Sequence, residues 1–291
     1  MGSVSFPHAE KGRGVAQEHW QNDLYEQLAL GSAAQTNPIA ASLLESLDDQ
    51  RFKALRDTVL DEAHLYPGAV ALEIGCGPGM MLEGIADRVG PEGEIHGLDL
   101  NPHFIDIATR RSRMLGLNQT RFVTADCHTL PYPDSTFDAV LAERLLMHVA
   151  PITRVLTEIS RVLTIGGRAV FADYDPYSAF AAGPDPTITS RVLASAASVY
   201  ASPLAARETP SACIQVGLYV ERVHGHLLVF EDPNAPNVQG ITSVWAEHAA
   251  AGRQVDRSTV KRWERAVERA IAQHRFLIAI PHVVTVVTRV R

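Results

Sequence analysis

Three glycines at alternate positions follow an apolar run and a single carboxylate in the segment ALEIGCGPGMM. The glycines are Gly75, Gly77 and Gly79, and the carboxylate is Glu73. Because glycine lacks a Cβ atom, such a loop allows positive φ angles and lets a ligand approach the backbone closely. A carboxylate beside the loop repels a polyanion and attracts a cationic group. The segment therefore predicts a ligand site that favours positive charge.

A dinucleotide site is the main alternative for this loop. Its G-x-G-x-x-G spacing places a pyrophosphate on exposed N–H groups at the start of a helix. Here Met80 occupies the position of the third glycine, and Glu73 would repel the pyrophosphate. An NAD-dependent oxidoreductase is therefore disfavoured, and binding of NADH would argue for it.

Two further carboxylates end apolar segments downstream of the loop. Asp99 is the next-to-last residue of GEIHGLDL, where a carboxylate can accept hydrogen bonds from both hydroxyls of a ribose. Asp126 ends RFVTAD and is followed by Leu130 and Pro131. It can accept a hydrogen bond from an adenine amino group while its apolar neighbours pack on the ring. The two carboxylates together predict a nucleoside ligand.

A histidine and two carboxylates are the candidates for proton transfer. His148 lies in LLMHVAP, and the unperturbed histidine pKa of about 6.5 suits a general base. Asp173 and Asp175 lie in RAVFADYD and can orient the imidazole or contact a substrate. The alternatives left open are a histidine bonded to backbone at a helix start and carboxylates that cap loops.

Strands and helices in alternation must position these residues. The patterns predict strands over 69–74, 93–100, 121–126, 137–143 and 168–175. Helices are predicted over 80–89 and 102–115, and an amphipathic helix starts near 151 and ends at Gly166-Gly167. This order predicts an α/β fold, a Rossmann-like, doubly wound and mostly parallel sheet with helices on both faces.

The remaining segments suggest a cover over this core. Residues 1–66 are predicted to form an N-terminal helical cap or lid, and 67–291 the ligand-binding domain. Helical insertions at about 176–217 and 240–275 would cover the substrate, and FLIAIPHVVTVVTRV is a final strand.

Composition excludes several classes of protein. The chain has 291 residues, a net charge of −7 and scattered basic residues, which argues against binding nucleic acid. No apolar run is long enough to span a membrane, and three distant cysteines suggest neither a disulfide framework nor a zinc site. Grouped metal ligands are also lacking in the sequence pattern. We therefore expect a cytoplasmic, metal-independent protein, with homo-oligomers left open.

The stretch from about Val70 to Asp175 resembles a class I S-adenosylmethionine-dependent methyltransferase. The resemblance is to the branch with the ubiquinone/menaquinone C-methyltransferases and many small-molecule methyltransferases. It rests on five motifs in order, LEIGCGPG, GLDLNP, ADCHTLPYPDSTFD, ERLLMHV and RVLTIGGRAVFAD. It also implies a seven-stranded sheet whose last strand runs antiparallel.

The resemblance assigns the cofactor-binding residues by position. It implies that the methionine part of S-adenosylmethionine lies against the glycine loop, that Asp99 holds the ribose, and that Asp126 binds the adenine edge. The full implied set is Glu73, Gly75, Cys76, Gly77, Gly79, Asp99, Leu100, Asp126, Cys127 and Glu143. Glu143 would begin the segment under the sulfonium, and Cys76 is expected to be a small buried side chain.

These observations predict methyl transfer to a small organic acceptor. O-methylation is the favoured outcome, C- and N-methylation stay open, and the setting is specialised or isoprenoid/quinone-like biosynthesis. His148 and Asp173 are the catalytic candidates. The substrate candidates are Trp20, Tyr25, Arg144, Tyr174, Asp175 and Tyr177. Few basic residues surround the predicted lid, which favours a neutral, apolar acceptor. A cofactor-binding enzyme that performs cyclisation or decarboxylation is the alternative, and a non-catalytic binding module is a second one.

Overall fold

A computed structural model describes residues 46, 49–233 and 236–291 of the chain. The helices are α1 (Gln50–Glu62), α2 (Leu82–Val89), α3 (Pro102–Met114), α4 (Ile152–Val162), α5 (Pro186–Ala197), α6 (Ala205–Gln215), α7 (Pro236–Gly252) and α8 (Arg257–Ala272). The strands are β1 (Val70–Ile74), β2 (Glu94–Asp99), β3 (Thr120–Thr124), β4 (Phe137–Glu143), β5 (Leu163–Tyr174), β6 (Phe180–Ala182), β7 (Leu218–Phe230) and β8 (Leu277–Arg289). A single 3₁₀ turn, Leu146–His148, follows β4.

All of the described strands form one sheet, in the order β3-β2-β1-β4-β5-β8-β6, with β7 paired to β8. The pairs β1–β2, β1–β4, β2–β3 and β4–β5 are parallel, whereas β8 runs antiparallel to β5, β6 and β7. The predicted fold class is confirmed, including the antiparallel last strand. The described sheet has eight strands instead of seven, because the short β6 pairs with the first residues of β8.

The strand order reverses between β1 and β4, which places a ligand crevice there. In open α/β sheets, ligands bind beyond the carboxyl ends of the strands at such a reversal. β1 supplies four buried residues out of five, so both of its faces are covered. The side of α4 that faces the sheet is formed by Ile152, Val155, Leu156, Ile159 and Val162, all buried as their spacing predicted.

The boundary between α4 and β5 differs from the prediction. The helix was expected to end at Gly166-Gly167, but it ends at Val162. Leu163 already has extended angles, φ −65° and ψ 141°, and pairs with Phe137 of β4. Thr164 and Ile165 are β-branched and favour the strand. The two glycines therefore lie near the start of the long strand β5 and do not cap the helix.

The two insertions are helical where the structure describes them. Between β5 and β7 lie α5, α6 and the short β6, and between β7 and β8 lie α7 and α8. The division into a lid over 1–66 and a domain over 67–291 stays a prediction, and Trp20 and Tyr25 lie outside the described residues. Within the described part of the chain, no helix combines the length and apolarity needed to cross a membrane.

Candidate active site

Carboxyl groups lie at the ends of four neighbouring parallel strands. Glu73 is the next-to-last residue of β1, Asp99 ends β2, Glu143 ends β4, and Asp173 is the next-to-last residue of β5. Because parallel strands end at one edge of the sheet, the topology gathers these acidic groups around the crevice. Such a cluster favours a ligand that carries positive charge.

The glycine loop needs glycine for two different reasons. Gly75 and Gly77 have φ angles of +69° and +52°, in the left-handed region. A Cβ atom on Gly75 would lie 2.9 Å from Cδ1 of Leu145, so the loop after β4 packs directly against it. A Cβ atom on Gly77 would meet no atom within 4 Å, so the backbone there faces open space that a ligand can approach.

We expect Gly77→Ala to weaken binding of S-adenosylhomocysteine by about 5- to 150-fold. An added methyl group in contact with a ligand costs ~1–3 kcal/mol, and ~1.4 kcal/mol corresponds to tenfold in affinity. The matched control is Gly166→Ala, since Gly166 has φ +83° with no neighbour within 4 Å of an added Cβ. Both variants should lose about 1–2 kcal/mol of stability through their left-handed backbone. Calorimetry should show reduced affinity only for Gly77→Ala, and equal affinities would contradict the assignment of the loop.

Asp99 connects the second strand to the glycine loop. Its Oδ2 accepts a hydrogen bond from the Gly77 N–H at 2.9 Å, and its Oδ1 accepts one from the Asn101 N–H at 2.8 Å. Burial raises the pKa of this carboxyl to about 6, against the opposing effect of these backbone bonds. Each carboxylate oxygen can accept more than one hydrogen bond, so both oxygens retain capacity for ribose hydroxyls.

Glu73 is a buried acid beneath the loop. It is 4% exposed, and burial and then the nearby Glu143 raise its pKa well above the usual value. A backbone hydrogen bond from Met81 opposes this shift without cancelling it. Burial therefore favours the protonated form of this carboxyl, and a cationic ligand beside it would favour the ionised form.

Asp126 lies just after β3, the strand that neighbours β2 and its last residue, Asp99. Its Oδ1 accepts from the His128 backbone N–H at 2.9 Å and lies 2.8 Å from Nδ1 of His128. Burial favours a raised pKa, but these bonds outweigh it, and the net effect is a lowered pKa. Its Oδ2 makes no hydrogen bond to another described residue and can accept from an adenine amino group. Burial raises the pKa of Cys127 and Cys76 well above their usual values, so both thiols stay protonated.

The candidate base lies between two carboxyl groups. His148 is 8% exposed and ends the 3₁₀ turn after β4. Burial raises the pKa of both Asp99 and Asp173, and a positive charge on the nearby His148 ring would oppose that effect. Asp173 does not carry the hydrogen bond to imidazole that would make it a direct orienting partner. Its Oδ1 accepts from the Met147 backbone N–H at 3.3 Å, which fixes the turn that carries His148.

Asp173 has a second oxygen, Oδ2, that is buried without a hydrogen-bond partner among the described residues. The residue is 2% exposed, and burial raises its pKa to about 7. A buried polar atom without a partner is costly and is a frequent mark of a functional site. The buried carboxyls Glu73 and Asp173 and the open backbone at Gly77 therefore fit a site for a cationic nucleoside cofactor with a substrate beside it.

The pKa of Asp173 predicts how stability depends on pH. Because the folded-state pKa of about 7 lies above the unfolded value, the unfolded chain releases its proton first as pH rises. The free energy of unfolding should therefore fall between about pH 4 and pH 7. The loss from this carboxyl is at most ~4 kcal/mol, since one pKa unit corresponds to ~1.4 kcal/mol. Asp173→Asn lacks this titration.

Urea unfolding of both proteins from pH 4 to pH 8 checks the prediction. The stability of Asp173→Asn relative to the unchanged protein should rise with pH and level off above about pH 7, the pKa of Asp173. Because Glu73 and Asp99 are present in both proteins, the difference isolates Asp173. A difference independent of pH would contradict the burial assigned to this carboxyl.

A cavity of about 160 Å³ lies beside the catalytic candidates. Its walls are mostly aromatic and aliphatic and come from α1, α7, the β5–β8 edge and the loops between them. The lining includes Phe52, Met147, Tyr174, Tyr200, Trp245 and His282, together with Arg144. The rings of His148 and Tyr200 meet edge to face with centroids 5.4 Å apart, which connects the candidate base to the cavity wall.

The predicted substrate residues fall into two groups. Arg144 and Tyr174 line the cavity. Asp175 instead forms a two-point ion pair with Arg207, with distances of 2.9 and 3.0 Å. Tyr177 is exposed, with the Arg207 guanidinium 6.0 Å from its ring centroid. The structure thus places the buried Asp175 and the exposed Tyr177 on either side of Arg207, which lies on α6.

Several cavity residues were not singled out in the sequence. Tyr200 lies in the loop between α5 and α6, Trp245 lies on α7, and His282 lies on β8. His248, also on α7, does not line the cavity but contacts the ring of Tyr200. Helical spacing offered a signal for part of this set. Ile241, Val244, Trp245 and His248 recur at i, i+3, i+4 and i+7, which predicts a single face of α7.

Comparison with known proteins agrees with the geometry. Residues 72–171 match the model of a methyltransferase domain family. The chain therefore carries a class I S-adenosylmethionine-dependent methyltransferase domain, and S-adenosylmethionine is the cofactor of this class. The predicted family, fold class and cofactor are confirmed.

The similarity to curated relatives extends over less than half of this chain. Over 121 residues the chain is 33% identical to a demethylmenaquinone methyltransferase from Bacillus cytotoxicus, covering 42% of this chain and 51% of that protein. The chain thus spans about half the length of such curated relatives, or less.

Two solved structures share the fold at low sequence identity. The [4+2]-cyclase SpnF is 21% identical with a TM-score of 0.56, covering 88% of this chain and 95% of that one. Geranyl diphosphate C-methyltransferase from Streptomyces coelicolor, in complex with Mg²⁺, geranyl-S-thiolodiphosphate and S-adenosyl-L-homocysteine, is 18% identical with a TM-score of 0.52. The coverage there is 81% of this chain and 76% of that one.

Proposed function

We propose that this protein transfers the methyl group of S-adenosylmethionine to a small organic acceptor without a metal ion. O-methylation is the expected outcome, and C- and N-methylation are the alternatives. The main support for this proposal is that two consecutive residues, the last residue of β4 and the one after it, belong to two different sites. Glu143 belongs to the acidic group around the glycine loop, and Arg144 lines the aromatic cavity. Cofactor and acceptor sites so placed would be adjacent.

The protein contributes to methyl transfer by aligning the acceptor with the methyl group and by excluding water. When bound, the cofactor would supply an activated methyl group, and the electron pair of its carbon–sulfur bond would stay on sulfur as the bond to the acceptor oxygen forms. The protein holds the acceptor atom in line with the carbon–sulfur bond and keeps water away from it. Tyr174 and Trp245, 7% and 5% exposed, close the cavity wall against water.

A hydroxyl acceptor must also lose its proton. His148 is the group proposed to take it, because the imidazole lies at the carboxyl edge of the sheet and contacts Tyr200 in the cavity wall. Asp173 acts as a positioning residue, since it holds the turn that carries His148 through the Met147 N–H. Its charge, when ionised, also stabilises the imidazolium that forms.

The relatives support small acceptors of isoprenoid or quinone-like type. Proteins similar to this chain include a demethylmenaquinone methyltransferase and a geranyl diphosphate C-methyltransferase. We therefore place the acceptor in specialised or isoprenoid/quinone-like biosynthesis. The three cysteines are buried and unpaired with one another, which fits the cytoplasmic location that we propose.

Cyclisation without methyl transfer is the second candidate function. The similarity of the fold to a [4+2]-cyclase supports it, because an enzyme named for cyclisation shares this architecture. In that case His148 would act on the substrate alone.

Incubation with S-adenosylmethionine labelled in the methyl group, together with a fractionated extract of small molecules, separates these functions. We expect label in an extractable small molecule together with stoichiometric S-adenosylhomocysteine. Consumption of a substrate with no label transferred would favour cyclisation or decarboxylation. Failure to bind S-adenosylhomocysteine at all would refute both.

A further inference from the structure

The acceptor cavity has the size of a single ring. Its volume is about 160 Å³, comparable with the ~150 Å³ cavity that holds benzene in an engineered protein. Aromatic rings form much of its wall, with Tyr174 and Tyr200 at a centroid distance of 6.4 Å and Tyr174 and His282 at 5.9 Å. Such walls select an apolar or planar group.

Arg144 is held in the cavity wall in an uncommon backbone conformation. Its φ angle is +53°, in the left-handed region, and non-glycine residues in that region cluster at functional sites. Its N–H donates to the Ala172 carbonyl at 2.8 Å, and its Nε donates to Glu143 at 3.0 Å. The first bond fixes the backbone in this conformation, and the second fixes the side chain at Nε.

The outer end of the Arg144 guanidinium is available for a ligand. The guanidinium carbon lies 4.8 Å from the centroid of the Phe52 ring, while Nη1 and Nη2 make no hydrogen bond to any residue that the structure describes. The side chain lines the cavity and is 21% exposed, so competition from bulk water for its donors is limited. A carboxylate accepts two parallel hydrogen bonds from such a planar fork.

The charges around Arg144 leave room for an anion. None of the described residues that line the cavity is acidic. Glu143 pairs with Arg144 at 3.0 Å and also interacts with the guanidinium of Arg56, so two guanidinium groups share this one carboxylate. Burial and then Arg144 lower the pKa of His282 to about 3, so this imidazole is neutral.

We propose that Arg144 binds a carboxylate of the acceptor, whose ring-sized apolar part fills the cavity. The acceptor is then an organic acid in which the carboxylate is the anchor and a separate hydroxyl receives the methyl group. This assignment rests on the proposed function, since it takes the cavity as the acceptor site. The proposal of an anionic acceptor replaces the sequence-based expectation of a neutral one. That expectation considered basic residues near the predicted lid, whereas Arg144 directly follows strand β4.

Two matched probes test the anchor on the full-length protein saturated with S-adenosylhomocysteine. Benzoate carries the carboxylate, and benzamide has the same shape without the charge. Calorimetry or ligand-observed NMR should show benzoate binding at least tenfold more tightly than benzamide. Arg144→Gln should weaken benzoate at least tenfold and leave benzamide within about twofold.

A second arginine variant serves as the control for Arg144→Gln, and the unchanged protein as the reference. Arg168, in the middle of β5, pairs with Glu221, so Arg168→Gln removes a comparable ion-paired guanidinium and should preserve the preference for benzoate. Equal binding of the two probes, no binding of benzoate, or a preference that survives Arg144→Gln would each overturn the proposal. A protein that fails to bind S-adenosylhomocysteine would instead refute the proposed function.

Discussion

Asp99→Ala should lower the affinity for S-adenosylhomocysteine about 100-fold. In the proposed complex, this carboxylate accepts hydrogen bonds from two ribose hydroxyls, and a hydrogen bond to a charged group contributes about 1.5–3 kcal/mol. Loss of two such bonds amounts to ~3 kcal/mol or more, and each ~1.4 kcal/mol corresponds to tenfold. The substitution also frees the Gly77 N–H, which Asp99 now holds at 2.9 Å, so the loop loses its link to β2.

A second carboxylate provides the matched control for Asp99. Asp138 lies in β4 near the start of the strand, and its Oδ2 accepts from the Val70 N–H at 2.9 Å. Asp138→Ala therefore also removes a carboxylate bonded to backbone, but at the opposite edge of the sheet. Calorimetry at pH 7.5 should show unchanged affinity for Asp138→Ala. If both variants bind S-adenosylhomocysteine with the affinity of the unchanged protein, Asp99 does not hold the ribose.

The fold was predictable because each element carried its own local signal. β1 is a continuous apolar run, α3 begins with Asn101 as N-cap and Pro102 in the first turn, and α4 has its apolar residues at helical spacing. These signals do not depend on the rest of the chain. The boundary between α4 and β5 was wrong, because the pairing of Leu163 with Phe137 comes from the tertiary fold and outweighed the two glycines.

The cofactor half of the site was predictable for a topological reason. Parallel strands bring their carboxyl ends together, so residues at the ends of predicted strands are neighbours whatever their separation in sequence. Glu73, Asp99 and Glu143 therefore lie near one another, as the strand pattern implied. The role of each toward the cofactor stays a prediction that the variants above test.

The acceptor half could not be derived in the same way. Its walls come from α1, α7, β8 and the loop before α6, which meet only through tertiary packing. Tyr200 illustrates the difficulty, since no periodicity marks this loop residue, yet its ring contacts those of His148, Tyr174 and His248. Asp175 shows the reverse case, in which a carboxylate next to the site is committed to Arg207.

His148→Ala should lower kcat for the labelled acceptor by about 100- to 10,000-fold, the range expected for loss of a general base. Affinity for S-adenosylhomocysteine should change less than about fivefold, because His148 is not assigned to the cofactor. Single-turnover transfer of the labelled methyl group, measured from pH 6 to pH 9, separates this effect from binding. The variant should regain rate as pH rises and the acceptor hydroxyl ionises without help.

Added imidazole distinguishes a missing base from a damaged site. The substitution removes a ring that contacts Tyr200 at 5.4 Å, and free imidazole can occupy the space it leaves. A rate that rises with imidazole concentration, at least tenfold at saturation, identifies the lost group as a proton acceptor. A variant that transfers methyl groups at an undiminished rate would contradict a hydroxyl acceptor deprotonated by His148. Transfer would then have to reach an atom with no proton to lose, such as an already ionised oxygen or a tertiary amine.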